Sequence, residues 1–163
     1  MARVEVFTAA DHAAVGGRLI EDYSDYAEHL GPVEWPRLRD GIAVAASRMR
    51  DAEIAGVREA EGLDAVVFYF SPGRSDGVIF PREWASLRLL GVAQKERGQG
   101  LSRGLTEWCI ARARLDGAKR IGLHASEAMT TARGLYERMG FAMDVELQSN
   151  FGLRYWRFFR HFG

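Results

Sequence analysis

A strand, a glycine-rich turn and a long helix follow one another between Trp84 and Leu115, and another strand begins at Arg120. The segment 84–92 is rich in aliphatic residues, whereas apolar residues recur at helical spacing over 98–115. Two strands joined through a helix lie parallel in one sheet, with a right-handed crossover. This stretch therefore predicts a parallel strand pair within a larger sheet and a fold that mixes helices and strands.

The rest of the chain supplies further elements on the same criteria of periodicity and residue type. Strands are predicted over 4–7, 52–59, 65–70, 84–92, 120–124, 141–147 and 153–160. Helices are predicted over 8–30, where Gly31-Pro32 ends the pattern, and over 36–49, 98–115 and 130–139. About seven strands and four helices predict a single α/β domain with a mixed sheet over residues 1–163.

Simple alternation along the strand 84–92 makes a prediction about which side chains share a face. It places Trp84, Ser86, Arg88, Leu90 and Val92 on one side of the sheet.

Composition excludes several functional classes. The 22 basic residues balance 22 acidic ones, so we expect neither nucleic acid nor a membrane surface as partner. The single cysteine and the four scattered histidines show no metal-ligand spacing. The first residues lack an apolar signal region, and no apolar stretch reaches the roughly 20 residues of a membrane span, so we expect a cytoplasmic protein.

The turn between Val92 and the helix predicts an anion site. The first N–H groups of a helix have no partner within it, and the helix dipole favours a negative charge there. Gly98 and Gly100 let the backbone approach a bulky phosphate, and Arg97 and Arg103 add positive charge. Three interpretations are open: a solvated helix start, a dinucleotide turn that includes Gly104, and a site for the diphosphate of coenzyme A.

Two motifs favour the third interpretation. The segment Arg97-Gly98-Gln99-Gly100-Leu101-Ser102 resembles the (Q/R)xxGx(G/A) turn of the GNAT superfamily of N-acetyltransferases. The segment from Ala132 to Phe141, ARGLYERMGF, resembles the AxxLYxxxGF segment of the same family. The order of strands and helices also matches over nearly the whole chain. The resemblance implies a GNAT-like acyl-coenzyme A N-acyltransferase fold with acetyl-coenzyme A as co-substrate and no metal.

The resemblance also implies cofactor-binding residues. In the family the strand before the turn splays away from the next parallel strand, and its backbone pairs with the pantetheine arm. The Val92 N–H would also polarise the thioester carbonyl. Met129 stands where many members have an asparagine, so Ser126 or Thr130 is expected to replace it. The implied set is Leu90, Gly91, Val92, Arg97, Gly98, Gln99, Gly100, Leu101, Ser102, Arg103, Ser126 and Arg133.

The same resemblance points to catalytic residues. Tyr136 matches the family's tyrosine and would protonate the leaving thiolate, although an aromatic at this position is also a natural core residue. Ser86 stands where many members carry a glutamate base, and no carboxylate occurs over 84–92. His124, at the end of its strand, is the candidate base; a structural histidine, Glu83 or a water relay are the alternatives.

The acceptor is open at this stage. An amine on a small molecule or peptide is expected, and Arg88 either faces it and favours an acidic substrate or is an ordinary surface or ion-paired arginine. Tyr23, Tyr26, Trp35 and Trp84 either line the acceptor pocket or belong to the core.

A homodimer is expected if the aromatics of the last strand are exposed. A non-catalytic acyl-coenzyme A sensor is the main alternative function, and a nucleotide-dependent oxidoreductase is a more distant one.

Overall fold

The computed structural model describes residues 3–163, which form one seven-stranded sheet. The strands are β1 (Val4–Val6), β2 (Glu53–Glu59), β3 (Gly62–Phe70), β4 (Ala85–Val92), β5 (Arg120–Ser126), β6 (Ala142–Asn150) and β7 (Leu153–His161). Their order is β1-β2-β3-β4-β5-β7-β6, and the β4–β5 pair is parallel while the other neighbours are antiparallel. The predicted mixed α/β class and the parallel pair are confirmed.

Helices cover both faces of the sheet. They are α1 (His12–Tyr23), α2 (Ala27–Ala43), the single turn α3 (Ala45–Arg48), α4 (Leu101–Leu115) and α5 (Thr130–Arg138). One apolar cluster lies beneath α4 and α5, and a second lies beneath α1 and α2 on the opposite face. Within residues 3–163, no helix combines the length and the apolar character that crossing a membrane would require.

The first helical region differs from the prediction in where it breaks. A 3-10 turn at Ser24–Tyr26 interrupts the predicted helix 8–30, and helical structure then continues from α2 onward. Gly31 does leave the helical conformation, with φ 80° and ψ −178°, but the chain resumes the helix at once. Gly31 therefore ends one helical segment, as predicted. A second segment begins at Pro32, earlier than the predicted start at 36, because proline fits the first turn of a helix.

The close approach of α1 and α2 explains one of the two adjacent glycines in α1. A Cβ atom on Gly16 would lie 2.9 Å from the carbonyl oxygen of Ala43, at the end of α2. Gly16 therefore permits a close crossing of the two helices, whereas a Cβ on Gly17 would meet open space.

Strand β4 contains a bulge that alternation along 84–92 does not anticipate. Phe68 of β3 pairs with Arg88 and Val66 pairs with Gly91, so two residues of β4 oppose the single Val67. Leu89, in the bulge, has φ 53°, which is rare for a residue with a branched side chain. The predicted single face is therefore wrong beyond Arg88, and the strand's side chains change sides.

The change of sides is visible in the core. Leu87, Leu90 and Val92 all contact the cluster under α4, while Leu89 packs into the opposite cluster.

Strands β4 and β5 touch only at their beginning. Their parallel register consists of Ala85 with Ile121 and Ser86 with Gly122, after which the strands separate. The joined end is tightly packed, because the Ser75 hydroxyl lies 2.7 Å from both the Ser86 hydroxyl and the Trp84 carbonyl oxygen. The result is a wedge that opens toward the end of β4.

A substitution at Gly56 tests how closely β2 and β3 pack. A Cβ atom there would lie 2.0 Å from the carbonyl oxygen of Ala65 and 2.8 Å from the Phe7 ring. We expect Gly56→Ala to lower the free energy of unfolding by about 2 kcal/mol or more, because the backbone would have to move. Gly17→Ala is the matched control and should raise it by about 0.5–1 kcal/mol through helix propensity. Chemical unfolding followed by circular dichroism measures both, and equal effects would contradict the packing described.

Candidate active site

A cleft of about 710 Å³ occupies the wedge between β4 and β5. It runs from the start of α4, past the end of α1, to the β6–β7 turn. Most residues predicted for cofactor binding or catalysis line it. They are Leu90, Gly91, Val92, Arg97, Gly98, Gly100, Leu101, Ser102, Arg103, His124, Ser126 and Tyr136.

Two predicted cofactor residues lie outside this lining. Gln99 is exposed in the turn. Arg133 lies over the ring of Trp156, 4.9 Å from its centroid, and its Nε is buried without a hydrogen-bond partner among residues 3–163.

The glycine-rich turn leaves main-chain N–H groups free. Gly98 and Gly100 have φ of 81° and 83°, and a Cβ on either would meet open space. Helix α4 therefore begins at Leu101, three residues later than predicted. Its first backbone hydrogen bond runs from the Gly104 N–H to the Gly100 carbonyl, and no side chain caps it. The N–H groups of 101–103 consequently have no partner within the helix.

The two arginines of the turn are ion-paired to carboxylates. Arg97 contacts Asp25, in the 3-10 turn between α1 and α2, at 2.5 Å, and its Nε donates to the Val92 carbonyl at 3.4 Å. Arg103 contacts Glu107 one helical turn away at 3.0 Å. Both pairs are roughly half exposed, so exchange of the carboxylate for another anion costs little free energy.

The end of β4 presents backbone groups to the cleft. The Ala93 N–H donates to the Asp64 carbonyl on the β3 side at 2.7 Å. Because N–H directions alternate along a strand, the Val92 N–H points the other way, toward the gap left by β5. The Arg97 contact to the Val92 carbonyl lies on the same side. The wedge therefore exposes an unpaired strand edge beside the turn.

The buried carboxylate of Asp22 packs against this edge of β4 on the α1 side of the sheet. Asp22, 5% exposed, is paired with Arg18 through bonds of 2.9 and 3.2 Å, and burial raises its pKa. A Cβ on Gly91 would lie 2.7 Å from an oxygen of Asp22. Neither Asp22 nor Asp25 was predicted from the sequence. The i, i+4 spacing of Arg18 and Asp22 was the available signal for the former, and no local signal marks the latter.

Tyr136 enters the cleft from α5. It is 7% exposed, packs edge-on against Phe141 and lines the cleft. Its hydroxyl makes no hydrogen bond with residues 3–163 that the structure describes, and burial raises its pKa. The hydroxyl therefore stays protonated at neutral pH and can donate to a group in the cleft.

His124 lies on the other face of the sheet, toward α1 and α2. Its ring centroid is 5.9 Å from that of Phe80 and 5.7 Å from that of Tyr155. Burial, with a smaller contribution from Arg88, lowers the pKa of His124 to about 4. The imidazole is neutral at physiological pH and can accept a proton, although its surroundings disfavour the charged form.

The alternative bases are less well placed. Ser86 is buried and hydrogen-bonded to Ser75, so its hydroxyl is occupied at the closed end of the wedge. Glu83 is exposed and does not line the cleft. The carboxylates that do line it are Asp22, Asp25 and Glu96.

Helix α2 and the β6–β7 turn meet over the far end of the cleft. Arg37 of α2 lies over the Phe151 ring, 4.7 Å from its centroid, and donates to Asn150 at 3.5 Å. Tyr23 and Tyr26 line the cleft beside them, whereas Trp35 does not and Trp84 is buried against Phe159.

The aromatics of β7 are half-buried or, at Phe158, fully buried within one chain. They form no exposed set, so the condition on which a homodimer was expected is not met. Within residues 3–163, no group of three or more His, Cys, Asp or Glu residues is arranged to hold a metal ion.

Comparison with known proteins identifies a matching family model and similar folds. The family model described as an acetyltransferase (GNAT) domain matches residues 38–158. A histone acetyltransferase HPA2-related acetyltransferase from Corynebacterium glutamicum is 22% identical with a TM-score of 0.76, covering 99% of this chain and 97% of its own. A ribosomal-protein-alanine N-acetyltransferase from Brucella melitensis is 20% identical with a TM-score of 0.68, covering 98% and 99%. A GNAT-family acetyltransferase from Staphylococcus aureus is 8% identical with a TM-score of 0.71, covering 99% of each chain. No curated protein sequence matches the chain.

The low pKa of His124 predicts a loss of stability in acid. Below pH 6.5, its ordinary pKa, the unfolded chain takes up a proton that the folded chain refuses until about pH 4. The contribution of this group is therefore complete above pH ~6.5 and is lost as the pH falls toward 4. We expect the free energy of unfolding to fall more steeply between pH 7 and 4.5 in the native protein than in His124→Gln. Urea unfolding at both pH values measures this, with the exposed His29→Gln as control. Parallel profiles for the native protein and His124→Gln would contradict it.

Proposed function

Because this chain belongs to the GNAT acetyltransferase family, we propose that it moves an acetyl group from acetyl-coenzyme A to a primary amine of a small molecule or peptide. One observation carries the proposal: uncapped N–H groups at the start of α4 and an unpaired edge of β4 border the same cleft. A diphosphate and an extended thioester arm need these two surfaces side by side.

The cofactor residues follow from that arrangement. The main-chain N–H groups of 98–102 would hold the diphosphate, with Arg97 and Arg103 exchanging their carboxylate partners for it. Leu90, Gly91 and Val92 would pair with the pantetheine arm, and the Val92 N–H would face the thioester carbonyl. The open space above Gly98 and Gly100 supports a bulky anion there. Ser126 lines the cleft and would complete the set, while roles for Gln99 and Arg133 rest on the sequence alone.

The proposed reaction is direct attack without a covalent enzyme intermediate. The amine nitrogen bonds to the carbonyl carbon, the carbon–sulfur bond breaks, and the nitrogen loses the proton that the sulfur finally gains. Tyr136 donates to the sulfur as negative charge builds there, and it regains its proton from the amine side. His124, neutral at physiological pH, accepts the amine proton directly or through water.

A second function, a non-catalytic acyl-coenzyme A sensor, is favoured by the absence of a carboxylate on β4. Release of free thiol from acetyl-coenzyme A across a panel of amines distinguishes the two functions. We also propose that residues 1–163 form one domain of a cytoplasmic protein that binds neither nucleic acid nor membrane.

Removing the Tyr136 hydroxyl tests its role as acid. We expect Tyr136→Phe to lower kcat about 100-fold, since a positioned proton donor contributes roughly that much. The dissociation constant for acetyl-coenzyme A should stay within about two-fold, because the ring and its packing remain. Stopped-flow thiol release and calorimetry measure the two quantities. Equal loss of both, or of neither, would count against the acid role.

The phosphate turn is tested by a pair of isosteric substitutions at Gly100. Asparagine and aspartate both tolerate positive φ, so Gly100→Asn controls for the added side chain. Gly100→Asp also places a negative charge among the free N–H groups. We expect Gly100→Asp to bind acetyl-coenzyme A at least about ten-fold more weakly than Gly100→Asn at low salt. Equal affinity of the two variants in calorimetry would show that the diphosphate lies elsewhere.

A further inference from the structure

Arg88 stands at the acceptor side of the cleft. It lies on β4 immediately before the bulge, directly opposite Phe68, which packs into the α1–α2 cluster. Directly opposed residues of an antiparallel pair point to the same face, so Arg88 points toward α1 and α2. Tyr136 approaches from α5 on the opposite face of the sheet. The proposed thioester position separates the two residues.

The guanidinium of Arg88 has no partner of its own. It lines the cleft, its Nε is buried, and no hydrogen bond or ion pair joins it to the described residues 3–163. Burial lowers the pKa of Arg88 from its ordinary value. The guanidinium is nevertheless a charged group, as arginine side chains are throughout proteins. A buried donor without a partner costs free energy, and buried charges in proteins are normally paired.

The acidic group that acts on Arg88 electrostatically is Asp76, and its carboxylate is already hydrogen-bonded. Asp76, in the connection between β3 and β4, accepts the N–H groups of Val78, Ile79 and Phe80 at 3.0–3.2 Å. Although burial opposes it, these bonds lower the pKa of Asp76 below its ordinary value. The carboxylate is thus fixed to its own loop and makes no ion pair with Arg88.

The other titratable groups on this side of the cleft are either uncharged at neutral pH or already paired. Tyr23 has its pKa raised by burial, as does Tyr155, and His124 is neutral. Arg157, on the same face, is bonded to Asp144 and to the Ile79 carbonyl. Among residues 3–163, Arg88 is therefore a buried cation on the α1–α2 side of the cleft that has no hydrogen-bond or ion-pair partner.

We propose that the acceptor amine also carries a carboxylate, which Arg88 binds while the amine faces the thioester. The inference rests on the proposed acetyl transfer. A guanidinium fork fits a carboxylate with two parallel hydrogen bonds, and such bonds are strongest in a site shielded from water. Tyr23 and Tyr155 offer hydroxyl donors to the same anion, and Ile79 with Leu38 supplies apolar wall for the part between amine and carboxylate.

The test uses matched acceptors. Free α-amino and ω-amino acids are compared with their own carboxamides, which keep the amine and remove the charge. We expect the acids to have kcat/KM at least about ten-fold above the amides in the native protein. Arg88→Met should abolish the difference, mainly by raising KM for the acids, and Arg88→Lys should keep part of it. Arg82→Met, an exposed arginine outside the cleft, is the control and should keep all of it.

Each outcome decides the proposal. Amides as good as acids, or a preference that survives in Arg88→Met, would overturn it. If a thermal melt shows that Arg88→Met does not fold, Arg88→Lys replaces it in the test. Lysine lacks the two-pronged guanidinium, so the preference for acids over amides should still fall several-fold. If no amine releases thiol, acetyl transfer itself fails. The binding of the acids to the coenzyme A-loaded protein is then measured by calorimetry. Acids that bind the native protein but not Arg88→Met support the carboxylate site, and acids that do not bind the native protein overturn it.

Discussion

The middle of the sheet is held by two residue pairs, Ala85 with Ile121 and Ser86 with Gly122, and beyond them β4 and β5 part. Each half of the sheet keeps its own antiparallel ladder, from β1 to β4 and from β5 to β6 through β7. Helix α4 packs across β3, β4 and β5 and thereby joins the halves where the strands do not. A ligand can consequently enter the wedge without breaking any main-chain hydrogen bond, and the strand groups left unpaired there are available to bind it.

Two local departures from regular structure make the wedge useful. The bulge at Leu89 turns Leu90 and Val92 toward the α4 side while Arg88 stays on the α1 side. The positive φ of Gly98 and Gly100 then delays the start of α4, so its free N–H groups lie beside the end of the strand. The single strand β4 thus directs side chains to both sides of the cleft, the proposed cofactor side and the proposed acceptor side.

Much of this architecture could be predicted because its causes are local. The strands are runs of β-branched and aromatic residues, and the turn motif is a short pattern of glycines whose physical role does not depend on the rest of the chain. The family resemblance added the tyrosine of α5 and the expectation that the strands splay. The structure confirms the class, the order of elements and the parallel pair.

What the sequence could not supply depends on contacts between distant segments. The bulge requires β3 opposite β4, the role of Gly16 requires the end of α2, and the contact of Arg97 with Asp25 joins positions 72 residues apart. Arg88 likewise lacks a partner only because of how the β3–β4 connection folds, since three backbone N–H groups there already bind the carboxylate of Asp76. The start of the helical segment after Gly31 was also missed, since it begins at Pro32 rather than near 36, although the break at Gly31 itself was predicted.

Asp22 limits how this sequence can drift over time. Its carboxylate occupies the space that any side chain at position 91 would need, and Arg18 holds it in place. A larger residue at 91 requires Asp22 to shift or to be replaced by a smaller residue, and Arg18 would then keep its contacts to Glu21 and to the Leu63 carbonyl. The side chains allowed at positions 22 and 91 therefore depend on each other, and this pair sets the shape of the cleft floor.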